Sequence, residues 1–318
     1  MDEKNGALFE RFIIPPFSVL DTVQGPWRSR VRLWDELGIN SASGRDVALT
    51  FGGKDREDFL QSQFESAGTT TSTFDPVLCE MMYRWFTPNT GSILDPFAGG
   101  STRGVVAGRL GRSYTGVDLR PEQIDENLTQ YRVVCPEADV TWLCGDSSNI
   151  PTLLPEGSLY DFVFSCPPYG DLEVYSDDPK DLSNMSHRDF VATYRTIIRH
   201  AVKYLKPNRF AAFVVGNYRL KDGSMFDFTG ETVRAFEEAG SLFYNQFVLV
   251  NSVGTLRLRV TRQFEASRKA GMRHQMVLVF VKGDAKRATA EIGPVDPRYP
   301  GGVFDKATDE SVLDFFSL

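Results

Sequence analysis

The feature that most constrains this 318-residue chain is a regular alternation of short apolar runs with segments of helical periodicity. The apolar runs have the length and composition of strands. Strands separated by helices pair in parallel and are covered on both faces. The last two runs have no obvious helix between them, so we expect them to pair antiparallel. The predicted strands are SILDP, SYTGVDL, DVTWLCGD, DFVFSCPP, FAAFVVGN, LFYNQFVLV and QMVLVFVKGD. The pattern predicts an α/β, Rossmann-like fold with a seven-stranded, mostly parallel sheet whose last strand is antiparallel.

Composition excludes several classes of protein. The longest apolar runs are too short to span a bilayer, and the start MDEKNG lacks the features of a signal peptide, so we expect a cytoplasmic protein. The four cysteines have no CxxC spacing, and with three histidines they complete no zinc pattern, so we expect neither a disulfide framework nor a metal. Three of them, Cys79, Cys135 and Cys144, are predicted to be small buried residues. A net charge of −7 argues against binding nucleic acid through bulk charge but allows a local basic face.

A glycine-containing loop, DPFAGGS, follows the first predicted strand from Asp95. Ligands of open α/β sheets bind beyond the carboxyl ends of the strands, and Gly99 and Gly100 permit a tight turn there. The loop matches neither GxGxxG nor a P-loop. The next two strands end at Asp118 and near Asp146, where carboxylates can accept hydrogen bonds from a ligand. Either aspartate alone is equally compatible with a helix N-cap or a turn, but the pair behind a glycine loop favours a ligand site.

The fourth predicted strand ends in SCPPYG, from Ser165. Two consecutive prolines give a stiff, extended loop at the carboxyl edge of the sheet. Such a loop can present backbone carbonyls, and Tyr169 offers a flat ring. A base flipped out of a duplex needs both, because it stacks on an aromatic ring and its exocyclic amine is held by acceptors.

These two loops together resemble those of the DNA amino-methyltransferases, which modify adenine N6 or cytosine N4 with S-adenosylmethionine. The chain looks most like the phage and prophage DNA methylases, in which a helix similar to FDPVLCEMMYRWF leads into the loop DPFAGGS. The resemblance runs from PPFSVLD at Pro15 to VFVKGD at Val279. In chain order the loop DPFAGGS (the cofactor loop) precedes the loop SCPPYG (the chemistry loop). It implies a class I methyltransferase fold, S-adenosylmethionine as cofactor, DNA as partner, and a role in DNA modification such as a restriction–modification system of a bacterial or phage-infected cell.

The resemblance also implies site residues. Those expected to bind the cofactor are Phe74, Asp75, Pro76, Asp95, Pro96, Phe97, Ala98, Gly99, Gly100, Ser101, Asp118, Leu119, Asp146 and Ser147. Those expected at the reacting base are Cys166, Pro167, Pro168 and Tyr169. By this division, residues 74–283 form the catalytic domain, residues 1–73 an N-terminal segment that contacts DNA or its target sequence, and residues 284–318 a C-terminal tail. The resemblance leaves the oligomeric state open between monomer and homodimer.

Two positions depart from the family pattern. Ser101 replaces the last glycine of the cofactor loop, and a small residue still fits there. Cys166 stands where the family has Asp, Asn or Ser, and a thiol is a weak acceptor. The favoured interpretation is a small residue that fits while backbone carbonyls hold the amine. The alternative is a pyrimidine-C5 methyltransferase in which Cys166 attacks the ring. An RNA-base methyltransferase and a non-catalytic cofactor-binding module are further alternatives.

Basic residues cluster in two segments, and clustered arginines bind phosphates. We expect the insert 252–275 to form a DNA-binding hairpin. The acidic segment after the chemistry loop is predicted to be a lid, in which Asp171 and Glu173 contact the base or move a proton. The residues expected to contact DNA are Arg28, Arg30, Arg257, Arg259, Arg262, Arg268, Lys269 and Arg273.

Overall fold

The computed structural model describes residues 3–39, 74–170, 178–254 and 256–298. Several predictions lie outside the described residues. They are the part of the N-terminal segment at 40–73, the lid residues Asp171 and Glu173, the tail from 299 onward, and the side chain of Arg259.

Strands and helices alternate as the sequence pattern predicts. The strands are β1 Val19–Asp21, β2 Ser92–Asp95, β3 Ser113–Asp118, β4 Val140–Cys144, β5 Tyr160–Ser165, β6 Leu205–Val215, β7 Tyr218–Arg219, β8 Met225–Phe226, β9 Leu242–Val250 and β10 His274–Lys282. The helices are α1 Glu3–Phe12, α2 Gly25–Glu36, α3 Pro76–Phe86, α4 Thr102–Arg109, α5 Pro121–Val134, α6 Ile150–Leu153, α7 His187–Tyr204, α8 Phe228–Glu238, α9 Leu256–Ser267 and α10 Ala285–Ile292.

In the part of the chain that the structure describes, the main sheet has the strand order β1-β9-β10-β6-β5-β2-β3-β4. Strand β10 is antiparallel to both β6 and β9, and the other pairings are parallel. This arrangement confirms the predicted Rossmann-like fold class. It differs in one strand, since β1 adds an eighth by pairing in parallel with the end of β9 at Val248–Val250. Pro15 and Pro16 lie just upstream of β1 and disfavour a helix there. Hydrophobic periodicity does not reveal a strand of only three residues.

The order of the sheet reverses between β2 and β5. From β2 the chain proceeds outward to β3 and β4, then returns to β5 on the other side. A crevice forms at such a switch point, beyond the carboxyl ends of the strands. Both loops singled out in the sequence leave the sheet here, one after β2 and one after β5. All six residues of β5 are buried, as expected for a central strand covered on both faces.

Helix α2 is fastened to α3 by a buried carboxylate. Glu80 is fully buried, and both of its oxygens accept hydrogen bonds of 2.7 Å from the Arg30 guanidinium. It also accepts from Trp34 Nε1 at 3.0 Å and from Arg84 Nε at 3.0 Å. The prediction that Arg30 contacts DNA is therefore wrong, because a phosphate contact would leave a buried charge without its partner. Arg28 is exposed on the same helix and stays a prediction.

Three further predictions differ from the structure. The insert 252–275 is not a hairpin, since it contains the twelve-residue helix α9. Helix α10 lies within the predicted tail, and its N-cap Asp284 accepts a hydrogen bond from the Arg287 backbone amide. Cys144 is exposed, whereas Cys79 and Cys135 are buried as expected. Cys144 is the last residue of β4, the strand at one edge of the main sheet, and its side chain is left uncovered.

Candidate functional site

A cleft of about 220 Å³ opens at the switch point of the sheet. Its walls come from the loops after β2, β3, β4 and β5, from α7, and from the start of β10. The predicted residues that line it are Phe74, Pro96, Phe97, Gly99, Asp118, Leu119, Asp146, Ser147, Cys166, Pro167, Pro168 and Tyr169. The structure thus brings the two loops of the sequence analysis to one cavity.

Asp95 is the junction between the two loops. It is fully buried, and its Oδ2 accepts from Arg103 Nε at 2.5 Å and from the Tyr114 hydroxyl at 2.8 Å. Its Oδ1 accepts from the Phe97 amide at 3.1 Å and from the Ser165 hydroxyl at 2.5 Å. Asp95 therefore supports the cleft from behind and does not line it, which corrects its prediction as a ligand contact.

Arg103, on the first turn of α4, sets the course of the glycine loop. Its Nη2 donates to the carbonyls of Phe97 and Ala98 at 2.6 and 2.8 Å, and its guanidinium lies 4.4 Å from the centre of the Phe74 ring. Burial lowers the pKa of Arg103, but the attraction by Asp95 and its neighbours, together with the hydrogen bond to Asp95, outweighs burial. The pKa of Arg103 is therefore raised and the guanidinium stays charged. The carbonyls of the loop are thereby drawn toward the protein.

Gly99 connects the glycine loop to Asp118 on β3. Its φ of +51° is in the left-handed region that favours glycine. Its amide donates to Asp118 Oδ2 at 2.8 Å, and its carbonyl accepts from Asn127 Nδ2 at 2.7 Å. The loop is therefore held in place from β3 on one side and from α5 on the other.

Asp118 is the last residue of β3, and Asp146 follows the neighbouring parallel strand β4. Asp118 accepts from the amides of Gly99 and Arg120, one on each oxygen, so one lone pair on each oxygen remains directed elsewhere. Burial raises the pKa of Asp118, and the two amides lower it by less. Asp146 caps the turn that follows β4 by accepting from the Ser148 amide at 2.8 Å. Asp146 therefore has the capping role considered for it and lines the cleft as well.

Tyr169 forms the opposite wall. Its hydroxyl accepts a hydrogen bond from Gln275 Nε2 on β10. Its ring packs edge-on against Tyr218 and Phe228, with centroid distances of 6.3 and 6.0 Å. The preceding residues Cys166 to Pro168 lie along the same wall, with Cys166 half-buried. Aromatic packing and one hydrogen bond thus define the orientation of this ring.

Some predicted residues do not line the cleft. Asp75 is the N-cap of α3 and accepts from Trp27 Nε1 at 2.7 Å, so it faces α2. Burial raises the pKa of this carboxyl. The cleft-lining residues also exclude Pro76, Ala98, Gly100 and Ser101, of which Pro76, Ala98 and Ser101 are buried.

Sequence reasoning missed other residues of the cleft. They are Arg103, Val117, Arg120, Gln123, Gly145, Lys180, Asp181, Leu182, Thr193, Ile197 and Gln275. Two of them carried a signal. Arg103 is a charged residue at the start of the otherwise apolar TRGVVAG, and Gln275 is a polar residue entering the apolar run QMVLVFV. Val117, Arg120 and Gly145 are chain neighbours of Asp118, Leu119 and Asp146, which were predicted. The residues from 180 to 197 come from other segments, and no local pattern connects them to the site.

The basic residues of the insert lie at the same edge of the sheet. Strands β9 and β6 are parallel to each other, because β10 is antiparallel to both. Helix α9, which follows β9, therefore lies at the carboxyl edge of the sheet. Helix α9 is largely exposed, with Leu258 at 71% exposure. Along and after it the exposed basic residues are Arg257, Arg262, Arg268 and Arg273, and Lys269 is half-buried.

Within the described residues, no helix is long and apolar enough to cross a membrane. The same residues contain no group of three or more His, Cys, Asp or Glu side chains arranged to hold a metal ion.

No protein-family model matches the chain. A segment of 55 residues is 38% identical to the type II methyltransferase M.SfiI of Streptomyces fimbriatus, and it covers 17% of this chain and 13% of that protein. Among solved structures, TrmN from Thermus thermophilus gives a TM-score of 0.43 at 16% identity, covering 66% of this chain and 49% of that one. A putative sarcosine dimethylglycine methyltransferase from Galdieria sulphuraria gives 0.46 at 16% identity, covering 80% and 99%.

The chain spans only a small part of the length of the curated relative that it matches. The strand order and the antiparallel β10 give the chain the Rossmann-like α/β fold predicted for a class I methyltransferase, with its cleft at the switch point of the sheet.

Proposed function

We propose that this protein is an S-adenosylmethionine-dependent DNA methyltransferase that modifies the exocyclic amine of a flipped base, cytosine N4 or adenine N6. The observation that carries the proposal is one cleft with Asp118 and Asp146 on one side and the Pro-Pro-Tyr loop on the other. The sequence similarity of one segment to a type II methyltransferase supports it.

The cleft fits the cofactor at three points. Asp118 has an unused lone pair on each oxygen, which suits the two ribose hydroxyls. Asp146 can accept from the adenine amine. Gly99 and Arg103, on either side of the N-terminus of α4, line the cleft, and the N-cap Ser101 between them makes no side-chain capping bond. Such a helix N-terminus suits the carboxylate of the methionine moiety. When bound, the cofactor supplies an electrophilic methyl group on sulfur.

The loop after β5 suits a planar amine. Pro167 and Pro168 have no backbone N–H, so this stretch offers carbonyl acceptors without competing donors. Carbonyls that grip the amine hydrogens favour a pyramidal nitrogen, whose lone pair then attacks the methyl group. The nitrogen–carbon bond forms as the carbon–sulfur bond breaks, and one amine proton leaves to solvent. Tyr169 stacks on the base and holds it in this position.

The partner we propose is duplex DNA. The exposed arginines along α9 lie at the edge where the cleft opens, so they can neutralise phosphates beside an extruded base. Arg28 extends this surface from α2. Such an enzyme, a monomer or homodimer of the cytoplasm, would serve DNA modification in a bacterium or phage-infected cell, as in restriction–modification.

The function is tested with radiolabelled S-adenosylmethionine and genomic DNA that lacks modification. We expect label in the DNA, and mass spectrometry of the nucleosides should show N4-methylcytosine or N6-methyladenine. A Tyr169→Ala, Asp118→Ala double variant is the negative control. Label in RNA alone, or in neither nucleic acid, would overturn the proposed function.

Replacement of Cys166 separates amine from ring-carbon chemistry. We expect Cys166→Ser to retain methyl transfer, because in amine chemistry the side chain only fills space beside the carbonyl acceptors. In a C5 enzyme the thiolate adds to C6, ring carbon C5 then takes the methyl group from the cofactor, and the thiolate leaves when the C5 proton is removed. The measurement is the methylation rate together with the product nucleoside. Loss of transfer in Cys166→Ser with 5-methylcytosine from wild type would reject the amine assignment.

Cofactor affinity should depend on pH through Asp118. The ionised carboxylate accepts the ribose hydroxyls, so binding is strongest above the pKa of Asp118 in the free protein. Because burial raises this pKa, we expect affinity to fall at a higher pH than for an exposed aspartate. Calorimetric titration of the cofactor between pH 4 and 8 measures the effect, with Asp118→Asn as a control that lacks this carboxylate. A flat wild-type profile over this range would contradict the prediction.

A further inference from the structure

Gln275 is a polar residue that no feature of the cofactor or phosphate surfaces explains. It is the second residue of β10 and reaches into the cleft. Its side chain packs beside Gly216, where an added Cβ would lie 3.8 Å from Gln275 Cγ and from the edge of the Tyr169 ring. The side-chain amide therefore occupies a fixed place between the end of β6 and the chemistry loop.

The two ends of this amide have different partners. Its Oε1 accepts from Asn251 Nδ2 at 3.3 Å, and its Nε2 donates to the Tyr169 hydroxyl oxygen. Asn251 is itself fixed, since its amide donates to the Arg273 carbonyl at 2.9 Å and its carbonyl accepts from Arg273 Nε at 3.1 Å. Because Asn251 donates to the carbonyl oxygen of the Gln275 side chain, the NH2 group of that amide faces Tyr169.

The aromatic neighbours of Tyr169 do not define its position alone. Tyr218 and Phe228 pack edge-on against its ring at centroid distances of 6.3 and 6.0 Å, and the hydrogen bond from Gln275 acts instead on its hydroxyl. Gly170, with a φ of +54°, follows the ring directly and supplies no side chain to support it. The hydrogen bond from Gln275 holds the far end of the ring.

We propose that Gln275 is a positioning residue that fixes the Tyr169 ring at the angle on which the target base stacks. This role rests on the proposed function, because it assigns Tyr169 to the base. Gln275 acts through Tyr169, so its loss should slow the chemical step and leave the cofactor side of the cleft unchanged.

The test is a double-mutant cycle with Gln275→Leu and Tyr169→Phe, which remove the two ends of one hydrogen bond. We expect each single variant to lower kcat roughly three- to tenfold, the range for one hydrogen bond. The double variant should be no slower than the slower single variant. The dissociation constant of S-adenosylmethionine, measured by calorimetry, should stay at the wild-type value in all three.

Gln246→Leu is the matched control, because Gln246 is an exposed glutamine on the neighbouring strand β9 and lies outside the cleft. It should leave kcat unchanged. Three results would each overturn the positioning role while wild-type transfer persists. They are kcat losses of the two single variants that multiply in the double variant, an unchanged kcat in Gln275→Leu, and a parallel loss of cofactor affinity. Absence of transfer to DNA by the wild type would instead overturn the proposed function and this role with it.

Discussion

Asp95→Ala should be the most damaging single substitution to the fold. It leaves the buried Arg103 guanidinium, 4% exposed, without the carboxylate to which it is hydrogen-bonded, and it removes the acceptor of the Ser165 and Tyr114 hydroxyls. Breaking a buried ion pair by removing one partner costs about 3–5 kcal/mol. Because Asp95 joins both loops, methyl transfer should disappear as well. Urea denaturation followed by circular dichroism measures the free energy of unfolding.

Two controls separate the buried pair from a general effect of removing charge. Glu238→Ala removes an exposed partner of Arg195 and should cost less than about 1 kcal/mol. Asp95→Ala combined with Arg103→Met should be less destabilised than the sum of the two single variants, because no unpaired charge remains. If Asp95→Ala were as stable as Glu238→Ala, water would be replacing the Asp95 carboxylate beside Arg103. Asp95 would then not hold the two loops together.

The sequence predicts the fold well because its signals are local. Strand and helix periodicity acts within a few residues, and the structure has the strands that it predicts. The same locality explains the failures. Arg30 is one of three arginines in RSRVR, but its partner Glu80 is 50 positions away, so the sequence gives no sign that this arginine is buried.

The candidate site shows the same limit at finer scale. Asp95 belongs to a loop that the resemblance assigns to cofactor binding. Its hydrogen-bond partners lie 8, 19 and 70 positions away along the chain, and they direct its carboxylate into the protein interior. Asp118 and Asp146 line the same cleft because parallel strands bring their ends to one edge, and their role toward a ligand stays a prediction. Gln275 was not found, since antiparallel β10 delivers the start of a strand to an edge otherwise formed by strand ends.

Tyr169→Ala should remove most of the catalytic efficiency toward DNA while leaving cofactor binding intact. Stacking of a base on an aromatic ring contributes about 1–3 kcal/mol per base. Its loss corresponds to a decrease in kcat/KM of roughly 5- to 150-fold. The Tyr169 ring also fills space against Tyr218 and Phe228, so the loop that carries Cys166 and the two prolines loses part of its support. Rates of methyl transfer to an oligonucleotide containing the target site measure the effect.

The aromatic face and the hydroxyl of Tyr169 make separable contributions. Tyr169→Phe keeps the face and loses the hydroxyl that accepts the hydrogen bond from Gln275, so its rate should lie between those of wild type and Tyr169→Ala. Tyr169→Trp keeps a stacking surface and should exceed Tyr169→Ala if the pocket admits the larger ring. Fluorescence of 2-aminopurine at the target position reports the same step without chemistry, because stacking on the ring quenches an extruded base. Equal rates for the Phe and Ala variants, with equal fluorescence, would mean that the hydroxyl and not the ring face contacts the base, and stacking on Tyr169 would then be rejected.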